Sequence, residues 1–422
     1  MPSRSPAVAV AVAVAAVTVA ALAVAGPLAA PAAANAAVPA APAVTAQVVP
    51  GALPPDQDPF YAAPADLAGY QPGQLVAARP LPNPSLDWIP LPVDAWQLSY
   101  RTDDAHGRPE LAVTTLVVPK SAWTGGGSRP VVSLESPEDS LGTQCAPSYQ
   151  IATGRDNEDA ALGATLIASN WALVLPDHEG PKSEFLDGPE EGHAVLDGIR
   201  AVKSFGADGI GAGNRYALSG YSGGANAAAW AAELQPSYAP DVPLAGAAIG
   251  GTPADPVAVG RHLDGTAAAG LEFAAAYGIA TEWPTESGID GLLTPAGRAD
   301  FDSLGGQCLT TLALTHPFRT LGSDTSAADP LGVPSVAAVL RTDTLGAQAP
   351  ATPVYDYHAD TDEIVPVGQD DTLVDTWCGE GGQVVKVRDL LGEHGEEAAV
   401  REVAVQHFLA DRFAGEPVDG SC

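Results

Sequence analysis

The sequence is poor in basic residues: 19 Lys and Arg stand against 51 Asp and Glu, which gives a formal net charge of −32. Only four of the basic residues are Lys. Contact with a phosphate backbone needs basic patches, so the composition argues against a nucleic-acid partner. It also disfavours electrostatic docking on anionic lipid. This balance is typical of an acidic, soluble, exported protein.

Internal repeats and coiled-coil heptads are also missing from the sequence, which excludes solenoid and fibrous proteins. Gly and Pro number 45 and 39 among 422 residues, short of the share typical of low-complexity disorder. Hydrophobic residues make up 46% of the chain. At this length they can bury a large core, in one large domain or two smaller ones.

The N-terminus has the features of an export signal. Arg4 precedes an apolar stretch over residues 7–25, and an Ala-Asn-Ala cleavage pattern then ends at Ala36. We therefore expect residues 1–36 to be a signal peptide. The alternative is a retained membrane anchor, because the apolar stretch approaches the ~20 residues that span a bilayer. Residues 37–60, rich in Ala, Pro and Val, are expected to form a flexible linker or an arm strapped to the surface.

Cysteine is scarce: the chain contains only Cys145, Cys308, Cys378 and Cys422. They show no C-x-x-C spacing, which argues against a zinc or redox motif. In an exported protein an even number of cysteines indicates two disulfides. Three pairings are possible and the spacing does not choose among them. The terminal position of Cys422 suggests a tether to Cys378, its nearest partner in sequence.

Strand-like and helix-like segments alternate from residue 96 onward, which predicts a mostly parallel sheet with helices on both faces. The first two strands are expected to form a hairpin. The predicted strands are 96–102, 110–118, 130–134, 171–175, 216–218, 244–249, 354–357 and 384–387. The predicted helices are 149–169, 188–205, 225–234 and 398–413.

The alternation is interrupted after residue 249, where about 100 residues are helical or irregular. We expect residues 252–345 to form an inserted, mainly helical cap, between core segments 61–251 and 346–422. Two aromatic residues of this cap, Tyr277 and Trp283, could line a substrate tunnel or belong to the cap's own core. The sequence does not decide between these interpretations.

The segment from Gly220 to Gly224 reads Gly-Tyr-Ser-Gly-Gly and matches G-x-S-x-G. It lies between a predicted strand and a predicted helix, where a nucleophilic serine occupies a sharp turn that needs small neighbours. The motif therefore predicts Ser222 as a nucleophile. The N–H of Gly223 is expected to face the reaction centre near the positive end of the helix. The alternative is a glycine-rich turn that contains a serine by chance.

A serine hydroxyl is a weak nucleophile at neutral pH and needs a base. In this class of site the chain order is Ser, acid, His. His394 follows the last predicted strand in a glycine-flanked loop, which predicts it as the base. The acid should follow the preceding strand, where Asp356 is interpreted as structural. Spacing alone leaves Asp360 and Asp362 as equal candidates.

His178 and Glu179 are adjacent in the sequence and could indicate a metal site or a second acid–base pair. A third metal ligand is not evident near them in the sequence. We therefore expect both residues to have a structural role.

Together with other segments, the Ser222 motif resembles the secretory lipase family of α/β-hydrolases, of the lipase A type. The matching segments are spread over nearly the whole mature chain and comprise residues 145–149, 176–181, 194–198, 220–224, 358–366 and 411–415. The resemblance implies an α/β-hydrolase fold with an inserted cap. It also implies acyl transfer from esters, with no metal or cofactor required.

The resemblance further implies roles for individual residues. Ser222 attacks the ester carbonyl, His394 accepts the proton, and Asp362 is the acid. Asp362 matches the Asp of the family's H-G-x-x-D-x-x-V-P pattern, from which this sequence departs at Ala359, the usual Gly.

An oxyanion hole and two disulfides are also implied by the resemblance. The oxyanion hole comes from the backbone N–H groups of Gly223 and Asp139, with Ser140 as the fallback for Asp139. The implied disulfides are Cys145–Cys308 and Cys378–Cys422.

The leading interpretation is thus a secreted, monomeric lipase or esterase that acts on acylglycerols and contacts the lipid interface through its cap. The alternatives are a peptidase or an acyltransferase on the same fold, or a non-catalytic envelope-binding protein. The presence of all three of Ser222, Asp362 and His394 argues against the last alternative.

Overall fold

The computed structural model describes residues 52–82, 85–86, 89–155 and 158–422. The predicted signal peptide, 1–36, and the first part of the predicted arm, 37–51, lie outside the described residues. The remainder of the arm contacts the core, where Asp58 forms an ion pair of 2.6 Å with Arg79.

The strands of the described residues form one large sheet and one small ribbon. Their bounds are β1 (Leu75–Pro80), β2 (Ser85–Leu86), β3 (Ile89–Pro90), β4 (Val93–Asp103), β5 (Pro109–Pro119), β6 (Val131–Glu135), β7 (Ala172–Pro176), β8 (Tyr216–Tyr221), β9 (Leu244–Gly250), β10 (Val354–Ala359) and β11 (Val384–Asp389). The small ribbon is the antiparallel pair β2 and β3.

The large sheet has the order β1-β4-β5-β7-β6-β8-β9-β10-β11. β4 and β5 form the predicted hairpin and pair antiparallel along their whole length. From β7 across to β11, neighbouring strands pair in parallel. The central strands β6 and β7 are buried at every residue. β7 is a continuous apolar run, as a strand covered on both faces requires, whereas β6 is apolar apart from Ser133 and Glu135. The prediction of a mostly parallel sheet is confirmed.

Helices cover both faces of this sheet. Their bounds are α1 (Pro147–Thr153), α2 (Glu158–Ala168), α3 (Gly188–Phe205), α4 (Gly223–Tyr238), α5 (Pro256–Leu263), α6 (Ala269–Glu282), α7 (Pro284–Ser287), α8 (Ile289–Leu292), α9 (Pro295–Leu304), α10 (Leu309–Leu314), α11 (Leu321–Asp324), α12 (Pro334–Thr342), α13 (Val367–Gly379) and α14 (His394–Ala414). The core on one face takes its helical residues from α3, α4 and α13, and the core on the other face takes them from α1, α2 and α14.

The expectation of a single helix over 149–169 is wrong. The chain forms α1 and α2 instead, because Gly154 adopts a left-handed conformation with φ of 69° and ends α1. A residue without a side chain reaches that conformation at little cost. Strand β1 and helix α13 were not predicted.

The segment between β9 and β10 forms helices α5 to α12 and has an apolar core of its own. This helical segment falls within the expected cap, 252–345. Its buried residues include Phe273, Ile279, Phe301, Leu304, Leu312 and Val336. The cap therefore packs around an apolar core of its own.

Both disulfides have the pairing that the family resemblance implies. Cys145 bonds to Cys308, which joins the chain before α1 to the cap. Cys378, at the end of α13, bonds to Cys422 and tethers the C-terminal segment.

Candidate active site

The turn between β8 and α4 holds Ser222 in a strained conformation. Its φ is 56° and its ψ is −124°, a region that costs a non-glycine residue about 1–3 kcal/mol. Close packing enforces the turn. A Cβ on Gly220 would lie 2.2 Å from the carbonyl oxygen of Gly224, and one on Gly224 would lie 2.1 Å from that of Glu135. The two glycines are therefore a steric requirement of this turn.

Three predicted site residues form a continuous hydrogen-bonded chain. Ser222 Oγ lies 2.8 Å from His394 Nε2, and His394 Nδ1 lies 2.7 Å from Asp362 Oδ2. The expected loop position of His394 is wrong, because His394 is the first residue of α14. Both backbone polar groups of His394 are hydrogen-bonded. The carboxylate of Glu363 accepts from the N–H of His394 at 3.1 Å, and the Tyr221 hydroxyl donates to the carbonyl of His394.

The structure distinguishes the two candidate acids. Asp362 Oδ1 accepts the backbone N–H groups of Ile364 and Val365 at 2.9 and 2.8 Å, which leaves Oδ2 to face His394. Burial alone would raise the pKa of Asp362, but hydrogen bonds from His358 and His394 outweigh it and hold the pKa below its usual value. Asp360 is exposed. The geometry thus places Asp362, the residue that the family pattern indicates, beside His394.

His358, on β10, is a residue of the site that sequence reasoning missed. It is fully buried. Its Nδ1 lies 2.9 Å from Asp370 Oδ2, and its Nε2 lies 3.2 Å from Asp362 Oδ2. Burial alone would lower its pKa, but the bonds to Asp362 and Asp370 outweigh it and raise the pKa to about 10. At neutral pH a positive charge therefore lies directly behind the Asp362 carboxylate.

The two residues expected near an oxyanion lie side by side. Gly223 opens α4, so its N–H has no acceptor within the helix. A Cβ on Gly223 would lie 1.8 Å from Asp139 Oδ1. Asp139 is buried and has a φ of 41°. The fallback, Ser140, points its N–H elsewhere, because that group donates to the Glu179 carboxylate at 3.0 Å.

An apolar cavity opens beside Ser222. Its empty volume, including the part that is open to solvent, is about 760 Å³, and Ser222, Gly223 and Asp139 form one part of its wall. The remaining wall is mostly aliphatic and comes largely from the cap, with Leu263, Leu271, Ala275, Ile279, Ile289 and Leu340 among its residues. The cavity can hold an extended apolar chain, with a polar group at the end of that chain next to Ser222.

Tyr277 and Trp283 belong to the packing of the cap and are not among the residues that line this cavity. The Tyr277 ring packs 6.1 Å from the Phe301 ring. Trp283 Nε1 donates to Asp187 at 2.7 Å. Of the two interpretations of these aromatics, the structure supports the cap core.

His178 and Glu179 have separate hydrogen-bond partners. His178 Nε2 donates to the Ser136 carbonyl at 2.8 Å, and burial lowers its pKa to about 4. Glu179 accepts from the N–H and the hydroxyl of Ser140. These contacts agree with the expected structural role and hold the segment that contains Asp139.

The fold and the Ser–His–Asp chain on a strained strand-to-helix turn define an α/β-hydrolase. The family model described as secretory lipase matches residues 148–420. The chain belongs to the secretory lipase family, as the resemblance of its motifs indicated, and is a secreted protein. Among the described residues, none of the helices is both long and apolar enough to cross a bilayer.

Several known proteins are similar to this chain over most of their own length. A protein of Mycobacterium tuberculosis named as a probable inactive lipase is 33% identical over 87% of this chain and 84% of its own. A secreted triacylglycerol lipase of Malassezia globosa is 31% identical over 87% of this chain and 81% of its own. The crystal structure of Candida antarctica lipase A in its closed state is 30% identical, with a TM-score of 0.79, over 87% of this chain and 89% of that one.

We predict that His358 stabilises the fold most strongly at neutral and acid pH. Its pKa rises from 6.5 to about 10 on folding, so the stabilisation is complete below about pH 6.5 and is lost as the pH rises to about 10. The difference in free energy of unfolding between wild type and His358→Gln should therefore be largest at pH 6 and shrink towards pH 10. Urea denaturation at several pH values measures this difference.

The matched control is His407→Gln, which changes an exposed histidine of α14. It should show a small difference from wild type that does not vary over this range. A His358→Gln difference that stays constant, or grows, between pH 6 and pH 10 contradicts the charged state assigned to His358.

Proposed function

We propose that this protein hydrolyses acyl esters, including triacylglycerols, through a Ser222–His394–Asp362 triad and an acyl-enzyme intermediate. The observation that carries the proposal is the hydrogen-bonded chain from Asp362 to Ser222, which ends at the wall of an apolar cavity. In this hydrogen-bonded chain the acid, Asp362, would orient the base, His394, and the base would activate the nucleophile, Ser222.

In the first step His394 Nε2 accepts the hydroxyl proton of Ser222 while Ser222 Oγ attacks the ester carbonyl carbon. Asp362 holds the proton on Nδ1 and stabilises the imidazolium that forms. His394 then donates a proton to the departing alcohol, which leaves the acyl group on Ser222. Water attacks this acyl-enzyme in the second half of the reaction, with His394 again as the base, and the carboxylic acid is released.

The negative oxygen of each tetrahedral intermediate needs fixed donors. We assign the backbone N–H groups of Gly223 and Asp139 to this role. The N–H of Gly223 is at the start of α4, where the helix dipole also favours a negative charge. Asp139 is preferred over Ser140, because the N–H of Ser140 already donates to Glu179.

The cavity supports the proposed substrate class. Burial of each methylene group contributes about 0.8 kcal/mol, so the aliphatic cavity wall favours an acyl chain over a polar group. One relative is named as a triacylglycerol lipase, and an acyl chain of an acylglycerol fits such a wall. Leu314 and Phe318 of the cap are each 73% exposed, which supports contact between the cap and a lipid interface.

A second candidate is a catalytically silent member of the family. It is favoured by the relative named as a probable inactive lipase. The silent alternative predicts no turnover of any ester, whereas the proposed hydrolase predicts turnover that is lost on removal of the Ser222 hydroxyl.

We predict that Ser222→Ala and Asp362→Asn each lower kcat for p-nitrophenyl esters by on the order of 10⁴ or more. The Asn amide would donate to His394 Nδ1 and hold the wrong tautomer. Asp360→Asn is the matched control, since it makes the same change two residues away at an exposed position. It should keep kcat within about threefold. If Asp360→Asn loses its activity while Asp362→Asn retains it, the assignment of Asp362 as the acid is contradicted.

We predict that Ala275→Phe shortens the range of acyl chains the enzyme accepts, because Ala275 lines the cavity. The ratio of kcat/KM for p-nitrophenyl palmitate to that for the butyrate should fall at least tenfold. Thr281→Phe, at an exposed position of the same helix, should leave this ratio unchanged. An unchanged ratio in Ala275→Phe, or equal losses in both variants, would show that acyl chains do not occupy the cavity.

A further inference from the structure

Two histidines face the same oxygen atom of Asp362. His394 Nδ1 lies 2.7 Å from Asp362 Oδ2, and His358 Nε2 lies 3.2 Å from that atom. The other oxygen, Oδ1, accepts the backbone N–H groups of Ile364 and Val365. The two ring nitrogens therefore lie within about 6 Å of each other, a range over which like charges oppose one another. The charge state of His358 thus acts directly on that of His394.

The hydrogen bonds of His358 require a proton on each of its ring nitrogens. Its Nε2 lies 2.9 Å from the carbonyl oxygen of Val365, and a carbonyl oxygen only accepts, so Nε2 donates. Its Nδ1 lies 2.9 Å from Asp370 Oδ2, which also accepts from Arg388 at 3.0 Å. A carboxylate paired with a guanidinium is an acceptor, so Nδ1 donates as well. A histidine ring with both nitrogens protonated is a cation.

A second buried histidine shows that burial alone does not produce this cation. His358 is fully buried, yet its bonds to Asp362 and Asp370 outweigh burial and raise its pKa to about 10. His178 is almost as deeply buried, but its Nδ1 lies 3.9 Å from the carboxylate of Glu191, too far for a hydrogen bond. Burial lowers the pKa of His178 to about 4. Near neutral pH His358 is therefore charged and His178 is neutral.

We propose that His358 is a positioning residue of the proposed triad, whose fixed positive charge opposes protonation of His394 across the oxygen that both rings face. This inference rests on the proposed ester hydrolysis. His394 acts as a base only while it is neutral, so a nearby cation keeps more of the enzyme in its active form as the pH falls. Hydrolysis therefore extends further into acidic solution than it would with an uncharged residue at position 358.

The effect of His358 is on protonation and not on substrate binding. His358 is not among the residues that line the apolar cavity. Asp362 and His394 lie between it and Ser222 in the hydrogen-bonded chain. A change at His358 should therefore alter the pH dependence of the reaction and leave KM nearly unchanged.

Other charged or titratable groups also surround the two rings or their direct partners. They come from β8, β10, β11, α13, α14 and the segments after β6 and β10, and they are Asp139, Tyr221, Asp356, Glu363, Asp370, Arg388 and Glu397. All of them are kept when His358 alone is replaced. A difference between the pH profiles of wild type and a His358 variant therefore reports the charge of His358.

The test is the pH profile of kcat/KM for p-nitrophenyl butyrate, a soluble ester, between pH 4 and pH 8. Release of p-nitrophenol is followed at the wavelength where its neutral and ionised forms absorb equally. The acid limb of this profile reports protonation of the base in the free enzyme. In His358→Gln the midpoint of the acid limb should move to higher pH by about half a unit or more, while KM stays within about twofold.

His178→Gln separates loss of charge from loss of packing, since it makes the same substitution at a buried histidine that is neutral. Its acid limb should keep the wild-type midpoint, even if kcat falls. If His358→Gln does not fold, His358→Asn, which is also uncharged, replaces it. An unchanged midpoint in the His358 variant, or equal shifts in both variants, overturns the inference and leaves ester hydrolysis standing. A wild type without turnover overturns the proposed function, and the inference with it.

A second measurement does not depend on turnover. The ¹⁵N chemical shifts of the His358 ring in wild type at pH 7 should be those of an imidazolium with both nitrogens protonated. The signals are assigned by their loss in the His358 variant. A neutral His358 ring at this pH overturns the inference, whatever the activity of the enzyme.

Discussion

The close approach of β6, β8 and α4 around Ser222 is the constraint on which the rest of the site depends. The chain can make this turn only because Gly220 and Gly224 leave room for neighbouring backbone. The same packing sets the start of α4, and with it the N–H of Gly223. It also brings the segment after β6, which contains Asp139, against the Cα of Gly223. A strained serine is thus held by the sheet, as the nucleophilic role that we propose for Ser222 requires.

A second requirement is the control of buried charge behind the proposed triad. Asp362 faces both His394 and His358, and His358 also bonds to Asp370. Asp370 in turn pairs with Arg388 at 3.0 Å, and Arg388 reaches Asp356. Negative and positive groups therefore alternate from Arg388 of β11 to Asp362, which keeps Asp362 ionised in a buried position. Asp356, interpreted from the sequence as structural, lies at the far end of this chain.

The sequence predicted the parts of the site that short-range geometry determines. The glycines around Ser222 are a local steric requirement of the turn, so the five residues from Gly220 to Gly224 suffice to recognise it in the sequence. The choice between Asp360 and Asp362 is different, because it depends on which carboxylate the N–H groups of Ile364 and Val365 hold in place. His358 was missed because its role depends on its contact with Asp370. Asp370 lies in α13, a helix that was not predicted because its sequence is largely polar.

Strand β1 was also not predicted, because it belongs to the sheet only through its pairing with β4 at the sheet edge. Residues that act on each other through tertiary contacts become recognisable only when the topology of the sheet is known.

The central claim is that Ser222 is an activated nucleophile in this fold. The most direct test is reaction of the folded protein with a long-chain alkyl fluorophosphonate, followed by mass spectrometry of the peptides. The account predicts stoichiometric labelling of Ser222 alone, and labelling that is abolished when the protein is unfolded first. A folded protein that stays unlabelled, or that carries the label on another residue, would contradict it.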